Sequence, residues 1–251
     1  LRFKKNRIIN SYKDVYKIIA NSSYTKDLMQ ASLMIEPKLI QIIHPGIDIY
    51  KNFISEIDKE NVKKIIKNHS PIITTLARVE KRKGHEFIIK SIPFLKKEFP
   101  DILYLIAGEG PYMREIKKIT KKLKIENNVL FLGWITEPEK SLILKNSDLF
   151  VMTPTTIGES VEGFGMAYID ASFHGVASVG SDSGGVIDAI VHEDTGLICE
   201  AGNQNMIKES ILYLLKNKNL RIEMGLKGKK RAIKHYAWSN KVIEYLNAAN
   251  L

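Results

Sequence analysis

A single cysteine, Cys199, stands among 251 residues, so no disulfide can form within the chain and no cysteine-based metal site can be assembled. Long apolar runs are missing too. Runs such as Ile102 to Ala107 are strand-sized, and none approaches the roughly 18 residues that a membrane-spanning helix needs. Arginine is scarce: of 38 basic residues, 31 are Lys and 7 are Arg. Readers of nucleic acid lean on Arg for base edges and bidentate phosphate contacts, and no aromatic-rich basic stripe is present, so nucleic acid is excluded as a partner. The six histidines, His44, His69, His85, His174, His192 and His235, show no metal-ligand spacing, and no Asp-x-Asp occurs. No metal is therefore expected. The chain opens Leu1-Arg2-Phe3 without an initiator Met, an apolar signal core or a small-residue cleavage site. The expectation is that the natural protein extends upstream.

What is present is an ordinary globular composition, 44% hydrophobic and 26% charged, which rules out disorder as the main state. The net charge is +10, with lysines scattered along helix faces, as at Lys117, Lys118, Lys121 and Lys122. Such runs fit a solvated helix surface, or attraction to an anionic membrane or a phosphorylated substrate.

From Pro71 onward, short β-rich apolar runs alternate with helical patterns. Strands are predicted over 71–77, 101–107, 128–132, 148–152, 176–179 and 196–199. Helices are predicted from Gly84, with Phe87, Ile88, Ile92 and Leu95 on one face, and over 112–123, 137–146 and 164–174. Helical segments of about a dozen residues between strands imply βαβ units: an α/β fold with a doubly wound, Rossmann-like parallel sheet and helices on both faces. Ligands of such sheets bind beyond the C-terminal strand ends. Residues 1–53 read differently. Strand-like runs at 15–21 and 40–43 flank a helix through Leu33 whose N-cap falls in Ser22-Ser23-Tyr24-Thr25, like the last βα units of a second Rossmann-like sheet. The expected division is 1–53 as the tail of a truncated N-terminal domain with its linker, 54–235 as a ligand-binding domain, and 236–251 as a C-terminal helix, with Ser239 as its N-cap, packing back toward the first.

Two constellations carry chemistry. Arg78 and Lys83 lie between a strand end and the helix that Gly84 opens. They form either a basic surface loop or a fork and a point charge on one diphosphate. In Glu162-Gly163-Phe164-Gly165-Met166, Gly165 sits near a helix start, where unpaired amides and the helix dipole suit a phosphate. Glu162 at its lip and Asp170 two turns on can face one cleft and accept sugar hydroxyls, though a carboxylate placed like Glu162 also stabilises a helix dipole. Neither acid has an obvious cationic neighbour in sequence. Gly108-Glu109-Gly110-Pro111 and Gly133-Trp134 also follow strands and are weaker candidates for backbone contact with a base. Gly184-Gly185 with Asp188 is weak by itself.

In this order, Arg78-x4-Lys83-Gly84, Gly108-x-Gly110-Pro111, Phe131-Leu132-Gly133 and Glu162-Gly163-Phe164-Gly165 resemble the family 4 retaining glycosyltransferases. The likeness continues upstream at Ala20-Asn21-Ser22 and Pro45-Gly46-Ile47-Asp48, and downstream at Ser183-Gly184-Gly185 and Thr195-Gly196-Leu197. The stretch Glu159-Ser160-Val161-Glu162-Gly163-Phe164-Gly165 is most similar to the mannosyltransferase branch acting on phosphatidylinositol mannosides and surface glycans.

The resemblance implies one half of a two-Rossmann GT-B fold, with a UDP- or GDP-linked sugar donor as substrate, a glycan or lipid-linked acceptor, and no cofactor. It implies a cytoplasmic enzyme, with peripheral contact with the anionic inner membrane face as a further expectation. Arg78 and Lys83 would neutralise the leaving diphosphate, and the Gly165 and Met166 amides, within the Gly163-Phe164-Gly165 loop, would hold the distal phosphate. Glu162 would bind the sugar, Asp170 the ribose, and backbone near Trp134 and Ile135 the base. Asp170 departs from the family's usual Glu by one methylene. Roughly one Rossmann domain, on the order of 100–150 residues with the acceptor contacts, is expected to be missing, so turnover by this chain is expected to be weak or absent. A nucleotide-sugar-binding module and a sugar-nucleotide epimerase are the alternatives.

Overall fold

The computed structural model describes residues 12, 15–48 and 54–250. Strands β1 (Ile18–Ala20) and β2 (Ile40–Ile42) pair in parallel on either side of helix α1 (Ser23–Leu33). Ser22 caps α1 by accepting from the Thr25 amide at 3.0 Å. Ile18, Ala20, Ile35 and Ile40 form a small apolar cluster beneath this unit. Helix α2 (Glu56–Ile66) was not expected. It starts on a reciprocal capping box in which the Ser55 hydroxyl accepts from the Asp58 amide and the Asp58 carboxylate accepts from the Ser55 amide.

The main body continues β3 (Ile72–Leu76), α3 (His85–Leu95), β4 (Leu103–Ala107), α4 (Met113–Lys122), β5 (Val129–Gly133), α5 (Glu137–Lys145), β6 (Leu149–Val151), α6 (Met166–Phe173), β7 (Ser178–Ser181), α7 (Val186–Ala189) and β8 (Gly196–Cys199). Helices α8 (Gln204–Lys216), α9 (Lys218–Tyr236) and α10 (Trp238–Ala248) follow. All six strands are parallel, in the order β5-β4-β3-β6-β7-β8. Sequence order therefore runs outward in both directions from β3 and β6, the reversal at which α/β sheets place their ligands.

Burial on both faces follows the two-residue period of a strand. Ile73, Tyr104, Ile106, Leu149 and Val151 pack with Ile88 and Ile92 of α3 and with Ile207 and Ile211 of α8. The intervening Ile72, Leu103 and Leu105 face Val62 of α2 and Ile143 of α5, while Phe150 joins Tyr168 and Ile169 of α6. The doubly wound Rossmann-like sheet expected from the sequence is thus present, with helices on both faces. Among the described residues, no helix is long and apolar enough to cross a membrane.

The C-terminal helix differs from the expectation. Helix α9 runs through Tyr236, and α10 begins after Ala237, whose extended backbone turns the corner, so Ser239 lies inside the helix and caps nothing. Ile47 holds that corner, donating to the Tyr236 carbonyl (2.6 Å) and accepting from the Trp238 amide (3.1 Å). The boundary expected at residue 53 lies outside the described residues.

Candidate functional site

Between β6 and α6 the chain crosses the C-terminal edge of the sheet and carries Glu162. Gly165 ends this stretch with φ +95°, and a Cβ there would lie 2.6 Å from the Tyr168 ring, so only glycine fits. No acceptor among the described residues meets the amides of Gly165, Met166 or Ala167. These donors open toward a recess of about 320 Å³ that Lys83, Glu162, Gly163 and Phe164 also line. Gly184, which read as weak by itself, acts from behind. At φ +64° its Cβ would stand 2.2 Å from the Glu162 carbonyl, and the next amide, of Gly185, donates to that carbonyl at 2.8 Å. The glycine pair supports the loop by close backbone packing.

Glu162 has no cationic neighbour in sequence, and the fold supplies two from far along the chain. The Lys83 Nζ lies 2.5 Å from its Oε2, and the Arg82 Nη1 lies 3.2 Å from the same atom. These pairings span 79 and 80 residues and arise because β3 and β6 are neighbours. Asp170 has a cation too, the Lys140 Nζ at 3.2 Å, which also pairs with Glu137. Burial raises the Asp170 carboxyl above its ordinary pKa, and Lys140 opposes the shift.

The two acids do not share one cleft. Asp170 lines a larger one of about 610 Å³ with Lys140, Glu137, His174, Lys59 and Lys229, and Met166 borders both spaces. Beneath Asp170, His174 sits between its carbonyl (2.8 Å from Nδ1) and Ser141 Oγ (2.7 Å from Nε2).

Other candidates lie further out. Arg78 does not join Lys83 in the recess; its side chain is 70% exposed, with Nε 3.3 Å from Glu80. Gly108 donates to the Gly133 carbonyl at 2.7 Å and packs on Ala77, and Gly110 borders a separate surface recess with Phe131 and Lys117. Trp134 is 77% exposed, while Ile135 packs beside Leu105 and Ile143. Their backbones stand at the C-terminal edge, outside the Glu162 recess. Among the described residues, no cluster of three His, Cys, Asp or Glu is placed to hold a metal.

Sequence reasoning missed Arg82, Glu80 and Lys140, whose partners are distant in the chain or irregularly spaced. It also missed the wall contributed by residues 21–45. Asn21 and Pro45 border the recess, and His44 stacks on Phe164 at 4.8 Å while its Nδ1 lies 2.9 Å from the Asn21 carbonyl. Asp188 anchors this wall by accepting from the Ser23 amide (2.5 Å) and the Ser23 hydroxyl (2.6 Å).

The chain is 24% identical over 220 residues to a GDP-mannose-dependent alpha-(1-6)-phosphatidylinositol monomannoside mannosyltransferase of Mycobacterium tuberculosis, covering 86% of this chain and 57% of that protein. The enzyme of the same description from Mycolicibacterium smegmatis is 29% identical over 170 residues, 67% of this chain and 44% of its own length. The chain thus spans about half the length of these curated relatives. HepE of Anabaena, crystallised with UDP and glucose, superposes with a TM-score of 0.86 at 18% identity, over 100% of this chain and 67% of that one. That likeness is one of fold, of the GT-B type. The family model described as glycosyl transferases group 1 matches residues 56–231. The chain belongs to the glycosyl transferases group 1 family.

Proposed function

We propose that the chain is the donor-binding half of a retaining glycosyltransferase that moves a hexose from a nucleotide-diphosphate sugar to a glycan or lipid-linked acceptor. The observation that carries this reading is the recess in which unpaired helix amides, an ammonium group and a carboxylate converge at the C-terminal edge of the sheet. The amides of Gly165 and Met166 hold the distal phosphate, and Lys83, with Arg78 swinging in from solvent, balances the diphosphate as negative charge grows on it in the transition state. Glu162 accepts hydroxyls of the sugar, Asp170 those of the ribose in the adjoining cleft, and backbone near Trp134 and Ile135 meets the base.

GDP-mannose is the first donor to test, because the mycobacterial relatives are GDP-mannose-dependent; UDP-sugars follow. A net charge of +10 suits peripheral contact with an anionic membrane on the cytoplasmic side, where a lipid-linked acceptor would be presented. Liposome binding indifferent to salt and to anionic lipid would remove that part of the reading.

The test is calorimetric titration with GDP, UDP and ADP, then with their sugars, alongside Glu162→Ala. One nucleotide is expected to bind, with about tenfold tighter binding of one of its sugars that Glu162→Ala abolishes. No binding to any nucleotide, repeated with an upstream domain supplied, overturns the reading. Donor hydrolysis or epimerisation without an acceptor would favour the epimerase.

A further inference from the structure

The loop from β3 to α3 and the loop from β6 to α6 are joined by a row of alternating charges. Glu80 takes the Arg78 Nε on Oε1 (3.3 Å) and the Arg82 Nε on Oε2 (3.0 Å). Arg82 Nη1 then reaches Glu162 Oε2, where Lys83 arrives from the other side. Exposure falls steeply along this row. The Arg78 side chain is 70% exposed, Arg82 18% and Glu162 10%. The Arg82 carbonyl also accepts from the Thr155 amide at 2.7 Å, which ties its loop to the segment leading to Glu162.

Resting on the donor-site reading, this arrangement exposes a conflict that Lys83 cannot resolve alone. One ammonium group would serve both Glu162 and the donor diphosphate. As it turns toward phosphate, Glu162 is left largely buried beside a new anion, and an unbalanced buried carboxylate is costly. Arg82 is placed to prevent that. Its guanidinium is a rigid fork with one arm on Glu80 and another on Glu162. Both cations take the same oxygen, so Glu162 Oε1 has no partner among the described residues.

We propose that Arg82 is a positioning residue that holds Oε2 of Glu162 and so presents Oε1 to a hydroxyl of the transferred sugar while Lys83 engages the diphosphate. Arg82 touches neither sugar nor phosphate. Its removal weakens recognition of the sugar and spares that of the nucleotide. Glu80 sets the angle of the guanidinium from the other end and acts in the same sense, more weakly.

The experiment compares, on the full chain, affinity for the nucleoside diphosphate with affinity for its sugar conjugate in wild type, Arg82→Gln, Arg82→Lys, Glu80→Gln and Lys81→Gln. Lys81 is an exposed neighbour outside the row and serves as a control. Arg82→Gln should cut the sugar-dependent gain from about tenfold to about threefold while the diphosphate affinity stays within about twofold. Arg82→Lys restores part of the gain, because a point charge keeps the balance and loses the fork; Lys81→Gln leaves both affinities unchanged. If Arg82→Gln retains the full sugar-dependent gain, or loses both affinities equally, the positioning role is wrong even though the donor site stands. Wild-type protein that binds no nucleotide overturns the donor site and the role of Arg82 with it.

Discussion

His85 opens α3 beside Lys83, with its imidazole buried and neither ring nitrogen hydrogen-bonded among the described residues. Burial, helped by the Lys83 charge, lowers its pKa from 6.5 to about 4. A histidine that resists protonation only when folded makes the unfolded chain the better proton acceptor. Stability is therefore fully present above about pH 6.5 and is lost as the pH falls toward about 4, by about 3 kcal/mol in all. His85→Leu should keep neutral-pH stability close to wild type and remove most of that acid-side loss. Urea unfolding midpoints of both proteins at about pH 7 and about pH 4.5 measure the difference. Equal losses in the two proteins would mean that other groups govern the acid limb. Next to Lys83, a protonated His85 would repel the ammonium group that the donor needs.

At the scale of elements, the ties between neighbouring segments matter more than helix propensity. Helix α1 begins on a carboxylate borrowed from α7, because both oxygens of Asp188 are taken by Ser23. A negative group there satisfies first-turn donors and complements the dipole. Asp188→Ala should cost about 1–2 kcal/mol, concentrated on α1. Amide exchange should speed up in the first turn of α1 and stay unchanged in β4; equal acceleration in both would show that the contact is not local. Strands such as Leu103–Ala107 were legible as short continuous apolar runs, buried at every position, and helices such as the one carrying Ile88, Ile92 and Leu95 by one apolar face. Helix α2 escaped notice because only Val62 in it is fully buried, although Ser55-x-x-Asp58 was there to be read. Lys83, Glu162 and Gly165 were legible because they stand at strand-to-helix junctions. Arg82 against Glu162 and Lys140 against Asp170 were not, since those pairs exist only once the strand order brings their elements side by side.

For the whole molecule, the unequal size of its two sheets sets the order in which it opens. Among the described residues, β1 and β2 are three residues each, pair only with each other and cover a buried cluster of four side chains. A two-stranded sheet of that size is marginal in water. Six strands, by contrast, share a core buried on both faces. The small unit is held to the large one by the Asp188 carboxylate, the His44–Phe164 stack and the Ile47 corner against α9 and α10. Ile47 apart, which packs in the core with Phe150 and Tyr168, these polar and aromatic contacts can release together while the main sheet stays intact. Native-state hydrogen exchange should therefore give the β1 and β2 amides a lower opening free energy, with a shallower denaturant dependence, than those of β4 or β7. Since Asn21 and Pro45 wall the recess around Glu162, a donor that touches this wall should raise protection of β1 and β2 more than that of β4. Identical free energies and slopes in all four strands would show one cooperative unit, and the wall would then be a fixed part of the site. A donor that protects only the main sheet would place the bound sugar away from Asn21.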